Sequence, residues 1–286
     1  MIKTYNLESS ELSFHKKLYV NYKKLLSSID KEFCNLNVIL SGSAAINLII
    51  TPTIDFNDYD FYFRSEDDYN DCKNFLLEKK FKYKTETNNC IVFENKKNKK
   101  DIQLIKTFYG NANDVIDNHD FFNCALAFEK NMLFLKKESL LNWKNKELEL
   151  QNIQCNPKLY LNSDFNDLEI SYILGYIANL MQRIDKYSER YDLTFNENSK
   201  KMLKPFKNYI LQLNSNKKHQ DKKIYFTANT YYASANKTIS YTIYINRFFN
   251  LLDIPLSFSI LKSKNDLYYY FDLRNERNKD ENILFE

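Results

Sequence analysis

Glycine, proline and tryptophan are scarce in this chain, with three, four and one copies among 286 residues. In so glycine-poor a sequence, a glycine between a predicted strand and a predicted helix is expected to serve the backbone, because glycine adopts conformations that other residues avoid. Gly42 has that position. Lys, Asn, Ile, Tyr and Phe are abundant instead, a bias typical of AT-rich genomes such as those of many phages and viruses. That bias lowers the significance of any basic or aromatic cluster.

Cysteine spacing and hydrophobic runs exclude several classes of protein. The five cysteines are odd in number and none has CxxC spacing, which argues against a zinc site and against a secreted disulfide scaffold. No apolar run approaches the length of a membrane span, and the first residues lack the apolar core of a signal peptide. We therefore expect a soluble protein without a membrane partner, in the cytoplasm or, for a viral protein, in the host cytoplasm.

Length and charge set the outer bounds. A chain of 286 residues buries a sizeable core and corresponds to one large or two modest domains. The net charge of +4 is compatible with an anionic partner without requiring one. The oligomeric state is left open.

The most informative stretch joins a short apolar strand to a helix. Residues 38–41 are typical of a buried strand, Gly42 ends it, and Ser43 is predicted to cap a helix that runs to Ile50. A helix N-terminus offers free N–H groups and the positive end of a dipole, and glycine allows phosphates to approach closely. Ser41, Gly42 and Ser43 are therefore candidates for nucleotide binding. The alternative is an ordinary strand–turn–helix without a ligand.

An acidic pair follows on a second predicted strand. Tyr59, Phe61 and Phe63 alternate with Asp58 and Asp60, so that the aromatic and acidic side chains point to opposite faces. Two carboxylates on one face repel each other and gain no burial. The pair makes sense at a strand end if a hard divalent cation lies between them. The alternative is a strand with a solvated acidic edge.

Gly42-Ser43 followed by Asp58-x-Asp60 in an aromatic strand resembles the signature of the polymerase-β-type nucleotidyltransferase superfamily. That superfamily includes poly(A) polymerases, CCA-adding enzymes and small nucleotidyltransferases of phages, viruses and toxin systems. The resemblance covers about residues 37–130. It implies an α+β fold with a mixed sheet and flanking helices. It also implies that an NTP donates a nucleoside monophosphate in a reaction assisted by two Mg²⁺ ions.

The resemblance further implies a third carboxylate on a neighbouring strand, because the family usually holds its metals with three. Asp101 is the preferred candidate, since Ile102 and Leu104 would point to the core and leave Asp101 and Gln103 on the open face. The family pattern more often has its carboxylate in mid-strand, where this chain has Gln103. Asp120 is the alternative third ligand. This departure puts catalytic competence in question.

The predicted organisation has three parts: a catalytic domain at 1–150, a helical segment at 151–213 and a β-rich region at 214–286. A long helix from Ser163 to about Arg190 carries Arg183 and Lys186, which are candidates to bind the triphosphate. The run 183–191 resembles a segment that follows the catalytic domain in small phage and viral nucleotidyltransferases. The alternative is a solvated basic flank. A second helix is predicted at 197–213, with a restart at Pro205. The strands predicted in the last part are 224–227, 239–245, 256–261 and 267–271.

The function we expect is a Mg²⁺-dependent nucleotidyltransferase with Asp58, Asp60 and Asp101 as catalytic metal ligands. An RNA 3′ end is the expected acceptor, because basic flanks and aromatic side chains suit single-stranded RNA. Two alternatives stay open. One is an enzyme of the same fold that nucleotidylates a protein or a small molecule, as toxins do. The other is a catalytically inactive, RNA-binding scaffold.

Overall fold

The computed structural model describes residues 1–51, 56–95, 97–155, 157, 167–215, 235–263 and 266–273. The chain divides into two compact units, Met1–Asn152 and Ile153–Glu286. In the described part, no helix is both long and apolar enough to cross a bilayer.

The first unit is built on one eight-stranded sheet. Its strands are β1 (Ile2–Asn6), β2 (Ile39–Ser41), β3 (Asp58–Tyr62), β4 (Lys82–Glu86), β5 (Cys90–Glu94), β6 (Asp101–Ile105), β7 (Leu126–Glu129) and β8 (Met132–Lys136). They are ordered β1-β8-β7-β2-β3-β6-β5-β4. Within this sheet β3 and β6 pair in parallel, and the other neighbours pair antiparallel. The sheet is therefore mixed, which confirms the predicted α+β class.

Helices flank this sheet. They are α1 (Ser13–Ile29), α2 (Gly42–Ile49), α3 (Glu66–Glu78), α4 (Ala112–Asp117) and α5 (Lys137–Asn145), followed by a short strand β9 (Glu147–Leu148). Ser65 caps α3, because its hydroxyl accepts from the backbone N–H of Asp68. The acidic first turn of α3 matches the positive end of its dipole.

An aromatic part of the core lies on one face of the sheet. The period-2 pattern of β3 is confirmed there, since Tyr59 and Phe61 are buried together with Phe63 just beyond the strand. Tyr22 of α1 stacks on Phe128 of β7 with ring centroids 4.9 Å apart. Burying each such aromatic side chain contributes about 1.5–3 kcal/mol. The aromatic half of β3 therefore anchors the strand and fixes which face its aspartates occupy.

The opposite face of the sheet is only partly covered. Ile39 of β2 and Ala127 of β7 pack against Val115 and Ile116 of α4, and Tyr62 lies at the edge of that cluster. Further along β3 and β6, this covering ends. The acidic and amide side chains there are half-buried: Asp58, Asp60, Asp101 and Gln103. The fold thus leaves one open end on an otherwise packed face.

The second unit is mainly helical. Its elements are α6 (Asp167–Tyr191), β10 (Thr194–Phe195), α7 (Glu197–Met202), α8 (Lys204–Ser215), α9 (Ala235–Leu251), β11 (Leu256–Ser263) and β12 (Asp266–Leu273). The predicted restart is confirmed, because Pro205 lies in the first turn of α8, where its missing N–H costs nothing. Strands β11 and β12 form an antiparallel hairpin, which confirms the strands predicted at 256–261 and 267–271.

The strand predicted at 239–245 is wrong. These residues belong to α9, where Ile245, Phe248 and Phe249 are buried at helical spacing. Alternating aromatic and β-branched residues favour a strand locally, and packing of the helical stripe overrides that preference. The strand predicted at 224–227 and the helix start at Ser163 lie outside the described residues. Strand β1, which pairs with β8, was missed by the prediction.

Candidate active site

The turn between β2 and α2 depends on a left-handed glycine. Gly42 has φ +68°, a conformation that residues with a Cβ rarely adopt. An ideal Cβ on Gly42 would lie 2.1 Å from Oδ2 of Asp60, far inside contact distance. The absence of a side chain at position 42 therefore lets the Asp60 carboxylate lie directly against the turn.

Ser41 is fully buried below this turn, and its hydroxyl is used inside the protein. Its Oγ lies 2.7 Å from the carbonyl oxygen of Leu126 and 2.7 Å from Nε2 of His119. A hydroxyl has one proton to donate. Since Ser41 donates it to the Leu126 carbonyl, His119 must donate from Nε2 to Ser41. Any contact of Ser41 with a phosphate would therefore come from its backbone.

Ser43 does not cap α2, and the prediction that it does is wrong. The helix begins at Gly42, with Ser41 as the flanking residue and no side-chain cap. Ser43 lies in the first turn and points to β3, where its hydroxyl donates to Oδ1 of Asp58 at 2.8 Å. The hydroxyl thus orients an acidic side chain instead of a helix end.

Asp58 and Asp60 share the open face of β3 as predicted, and β6 runs beside them. In this parallel pair Asp58 lies opposite Asp101, and Asp60 lies opposite Gln103. The side-chain amide of Gln103 donates to Oδ2 of Asp58 at 3.2 Å. Asp58 therefore accepts from Ser43 on one oxygen and from Gln103 on the other.

Asp101 is on the predicted strand and face, and a lysine holds it. Nζ of Lys84 lies 2.7 and 3.0 Å from the two carboxylate oxygens of Asp101. Lys84 comes from β4, two strands away in the sheet. The hydrogen bond to Asp101 raises the pKa of the Lys84 ammonium. The lysine thus supplies the positive charge that faces Asp101 in this structure.

The described residues contain no group of three His, Cys, Asp or Glu side chains placed to share one metal ion. In this arrangement neither Asp101 nor Asp120 completes the acidic pair. Asp120 is buried, and its backbone carbonyl accepts from Gln151. Burial, followed by the charge of Asp60, raises the pKa of Tyr62, and Asp120 adds to that effect.

Arg183 and Lys186 lie on α6, in the second unit. The side chain of Arg183 is half-buried and that of Lys186 is exposed. Between them Asp185 pairs with Arg247 of α9, so one acidic residue of this helix already has a cation. A triphosphate-binding role for Arg183 and Lys186 stays a prediction.

The donor set at the open face suits a single hard cation. Mg²⁺ is commonly held by one or two carboxylates, with waters and substrate phosphates completing its octahedron. Asp58 and Asp60 provide two carboxylates side by side, and the Gly42 turn lies next to Asp60. These residues fit one Mg²⁺ ion shared with a phosphate. A second ion would need Asp101, which Lys84 holds.

A cavity of about 310 Å³ lies at the same end of the sheet, beyond Asp101. We call it the basic cavity. It is lined by Phe56, Asn57, Lys84, Asn98, Lys99, Lys100 and Asp101. The sequence did not indicate Lys84 or His119 as site features, because lysines are frequent throughout this chain and His119 stands alone in a loop.

Residues 14–146 match a family model described as Gad2, Gabija anti-defense 2 family protein, which is a little less than half of the chain. No curated protein matches the chain.

Several solved structures are similar to it at low identity. One is the Thermotoga maritima CCA-adding enzyme complexed with tRNA, at 15% identity and TM-score 0.42, covering 69% of this chain and 45% of that one. Another is a CCA-adding enzyme in an apo form, at 14% identity and TM-score 0.46, covering 87% and 54%. A third is a tRNA nucleotidyltransferase complexed with a primer tRNA and an ATP analog, at 11% identity and TM-score 0.43, covering 81% of this chain and 63% of that one. The chain spans about half the length of each of the first two structures.

Proposed function

We propose that this chain is a metal-dependent nucleotidyltransferase that transfers a nucleoside monophosphate from an NTP to an acceptor. The observation that carries the proposal is the position of the Asp60 carboxylate against Gly42. It brings an acidic pair next to the N-terminus of a helix that has no side-chain cap. A cation between the carboxylates and a triphosphate at the turn would each neutralise the charge of the other.

Each residue of the site has a role in this proposal. Asp58 and Asp60 hold Mg²⁺, and the backbone N–H groups at Gly42 and Ser43 bind the phosphates of the NTP. Ser43 and Gln103 fix the rotamer of Asp58 by donating to its two oxygens. A bound Mg²⁺ would stabilise the negative charge of the leaving pyrophosphate and lower the pKa of the attacking hydroxyl. The protein then acts by positioning and charge, as this reaction requires.

The acceptor in this proposal is an RNA 3′ end. The net charge of +4 and the basic cavity beside Asp101 support it, because both favour a polyanion. Two further roles belong to the same proposal. Asp101 acts as a third ligand for a second Mg²⁺ ion once Lys84 changes partner, and Arg183 and Lys186 bind the triphosphate.

Incorporation of a labelled nucleotide tests the reaction. The protein is incubated with each labelled NTP, Mg²⁺ and a pool of small RNAs, with a protein mixture as a parallel acceptor. Asp60→Asn keeps the shape of the side chain and removes its charge, so incorporation should fall by about 100-fold or more. Asp71→Asn on α3, an exposed aspartate outside the site, makes the same charge change and should incorporate normally. Wild-type incorporation by Asp60→Asn would refute the proposal, and label on protein would favour the protein-modifying alternative.

A second candidate function is a non-catalytic protein of the same fold that acts by binding. Gln103 stands opposite Asp60, where a third carboxylate would be expected, and Asp101 is paired with Lys84. The family description of residues 14–146 would then point to a protein that counters the Gabija defence by occupying a partner. Calorimetry with ATP and Mg²⁺ separates the two functions. No Mg²⁺-dependent ATP binding would favour the non-catalytic one.

A further inference from the structure

The basic cavity has a defined place beside the acidic pair. Strand β3 carries Asp58 and Asp60, β2 and the Gly42 turn lie on one side of it, and β6 lies on the other. The basic cavity opens on the β6 side, where Asp101 and Lys84 form part of its wall. The triphosphate proposed at the Gly42 turn and any ligand of the cavity therefore flank the acidic pair from opposite sides.

The chemistry of the cavity wall is cationic and amide-rich. Two lysines at the wall have side chains that are partly exposed: Lys84 at 40%, with its ammonium on Asp101, and Lys99 at 77%. Lys99 is 3.8 Å from Glu94, a distance that leaves its ammonium largely hydrated. Asn57 adds an amide donor, and Asn98, whose amide donates to the Tyr59 hydroxyl at 2.8 Å, keeps a second N–H. Such a wall suits phosphate groups, which accept hydrogen bonds from lysine and amide donors alike.

Lys100 has a different role in the same wall. Its Nζ donates to the backbone carbonyl of Phe56 and lies 3.9 Å from the centroid of the Phe56 ring. The ring in turn contacts Tyr59 edge-on, with centroids 5.0 Å apart. Lys100 is therefore tied to the buried core and forms a fixed part of the cavity, whereas Lys84 and Lys99 have side chains with room to move.

We propose that the basic cavity binds the backbone phosphates of the acceptor strand, with Lys84 and Lys99 as the contacting cations. Only the identity of the bound strand as the acceptor rests on the proposed function; the binding of phosphates does not. A phosphate in the cavity competes with Asp101 for Lys84. Binding of the strand thus takes Lys84 away from Asp101 and frees that carboxylate beside Asp58, its neighbour in the β3–β6 register.

Fluorescence anisotropy with a labelled single strand of about 12 nucleotides tests the site. The protein is full-length, and the buffer contains EDTA and no NTP, so the measurement does not depend on catalysis. RNA and DNA of one sequence form two arms, because the proposed contact is the phosphodiester they share. Lys84→Gln and Lys99→Gln should each weaken binding about threefold to tenfold. Each should also lower the slope of log affinity against log salt by about 0.7.

Two further variants sharpen the result. Lys17→Gln removes the same charge from an exposed lysine of α1 outside the cavity wall, and its affinity should stay within about twofold. Asp101→Asn removes the competitor of the phosphate for Lys84, so it should bind the strand more tightly than wild type. A loss of binding in Lys84→Gln together with a gain in Asp101→Asn is the expected pattern.

The contrary results are equally specific. Wild-type affinity in Lys84→Gln, an equal loss in Lys17→Gln, or no detectable binding at low salt would overturn the inference. Complete displacement of the strand by ATP would also overturn it, since the cavity would then take a triphosphate. Failure of the proposed function is a separate outcome. It appears as unchanged incorporation in Asp60→Asn, whatever the strand-binding data show.

Discussion

The carboxylate of Asp60 occupies the space that a side chain on Gly42 would fill. Oδ2 of Asp60 would lie 2.1 Å from a Cβ built there, and the backbone of Gly42 is left-handed with φ +68°. Gly42 therefore meets two requirements. It adopts a left-handed conformation that is unfavourable for residues with a Cβ, and it allows an acidic group to approach the turn closely. Both requirements belong to the candidate active site.

Gly42→Ala should destabilise the protein by about 2 kcal/mol or more, because it combines a left-handed alanine with a clash against Asp60. Urea unfolding followed by circular dichroism measures the change. Gly110→Ala is a useful control, since a Cβ there would also meet a carboxylate, 2.8 Å from Oδ2 of Asp114, without a left-handed backbone. A loss at position 42 no larger than that at position 110 would contradict the account given for Gly42.

Much of this region could be predicted from local sequence patterns. The alternation of aromatic and acidic residues in β3 fixes its two faces, because side chains of a strand alternate. Gly42, between an apolar run and a helical run, likewise predicts the turn, because glycine adopts backbone conformations that other residues avoid. The assignment of Asp101 and Gln103 to the open face of β6 followed from alternation as well, since Ile102 and Leu104 are buried.

Contacts between distant segments could not be predicted. Ser41 and His119 are 78 residues apart, and their hydrogen bond depends on how α4 packs against β2 and β7. Lys84 reaches Asp101 from a strand whose pairing shifts between Tyr83 and Thr85, and such an irregularity leaves no clear mark in the sequence. The error at α9 has another origin, because aromatic and β-branched residues favour a strand locally while tertiary packing selects a helix.

The two serines at the turn should respond differently to substitution. Ser41→Ala removes a buried hydroxyl and leaves the Leu126 carbonyl and the His119 N–H without it, which costs about 1–3 kcal/mol of unfolding free energy. Ser43→Ala removes one part-buried hydrogen bond to the half-buried Asp58 and should cost less. Ser43→Ala should instead lower the incorporation of labelled nucleotide, because Asp58 loses a hydrogen bond that orients it. Urea unfolding and the incorporation assay on both variants check this, and equal stability losses would speak against it.

Gln103→Glu should increase affinity for divalent metal and reduce stability without metal. A glutamate at this position places a third negative charge beside Asp58 and Asp60, and added ligand charge strengthens cation binding, here by roughly tenfold. In EDTA the same charge loses the hydrogen bond to Asp58 and repels it, which costs about 1–2 kcal/mol. Calorimetry with Mn²⁺ and urea unfolding in EDTA measure the two effects. Gln103→Met loses the hydrogen bond without adding charge, and equal Mn²⁺ affinity in both variants would refute the interpretation.

The ion pair between Arg64 and Glu129 should matter more than a surface pair. The Glu129 side chain is 7% exposed, and the guanidinium of Arg64 donates to both of its oxygens. Arg64→Gln leaves a buried carboxylate without its cation, which should cost about 3 kcal/mol. Lys82→Gln breaks the more exposed pair with Glu94 and should cost less than about 1 kcal/mol. Similar losses in urea unfolding of the two variants would show that burial of Glu129 has no energetic consequence.

Stability should fall at alkaline pH, because burial raises the pKa of several groups that ionise there. Burial raises the pKa of the Cys155 thiol to about 12 and raises that of Cys72 as well. Burial likewise raises the pKa of Tyr22, with Glu129 adding to the effect. The ordinary values are 9.0 for a thiol and 10.0 for a tyrosine. The folded state thus keeps these protons over a range in which the unfolded state loses them.

The sign of the effect follows from this difference. Below about pH 9 both states are protonated and the full stability is present. As the pH rises through 9 and 10 toward the folded values, each group lowers the unfolding free energy by about 1.4 kcal/mol per pH unit. Urea unfolding at about pH 8 and about pH 11 measures the slope, and Cys72→Ala should reduce it by one such increment. Cys34→Ala, at a half-buried thiol, is the control. An unfolding free energy that does not change between these two pH values would contradict the burial of Cys72, and with it the packing of α3 on the sheet that carries Asp58 and Asp60.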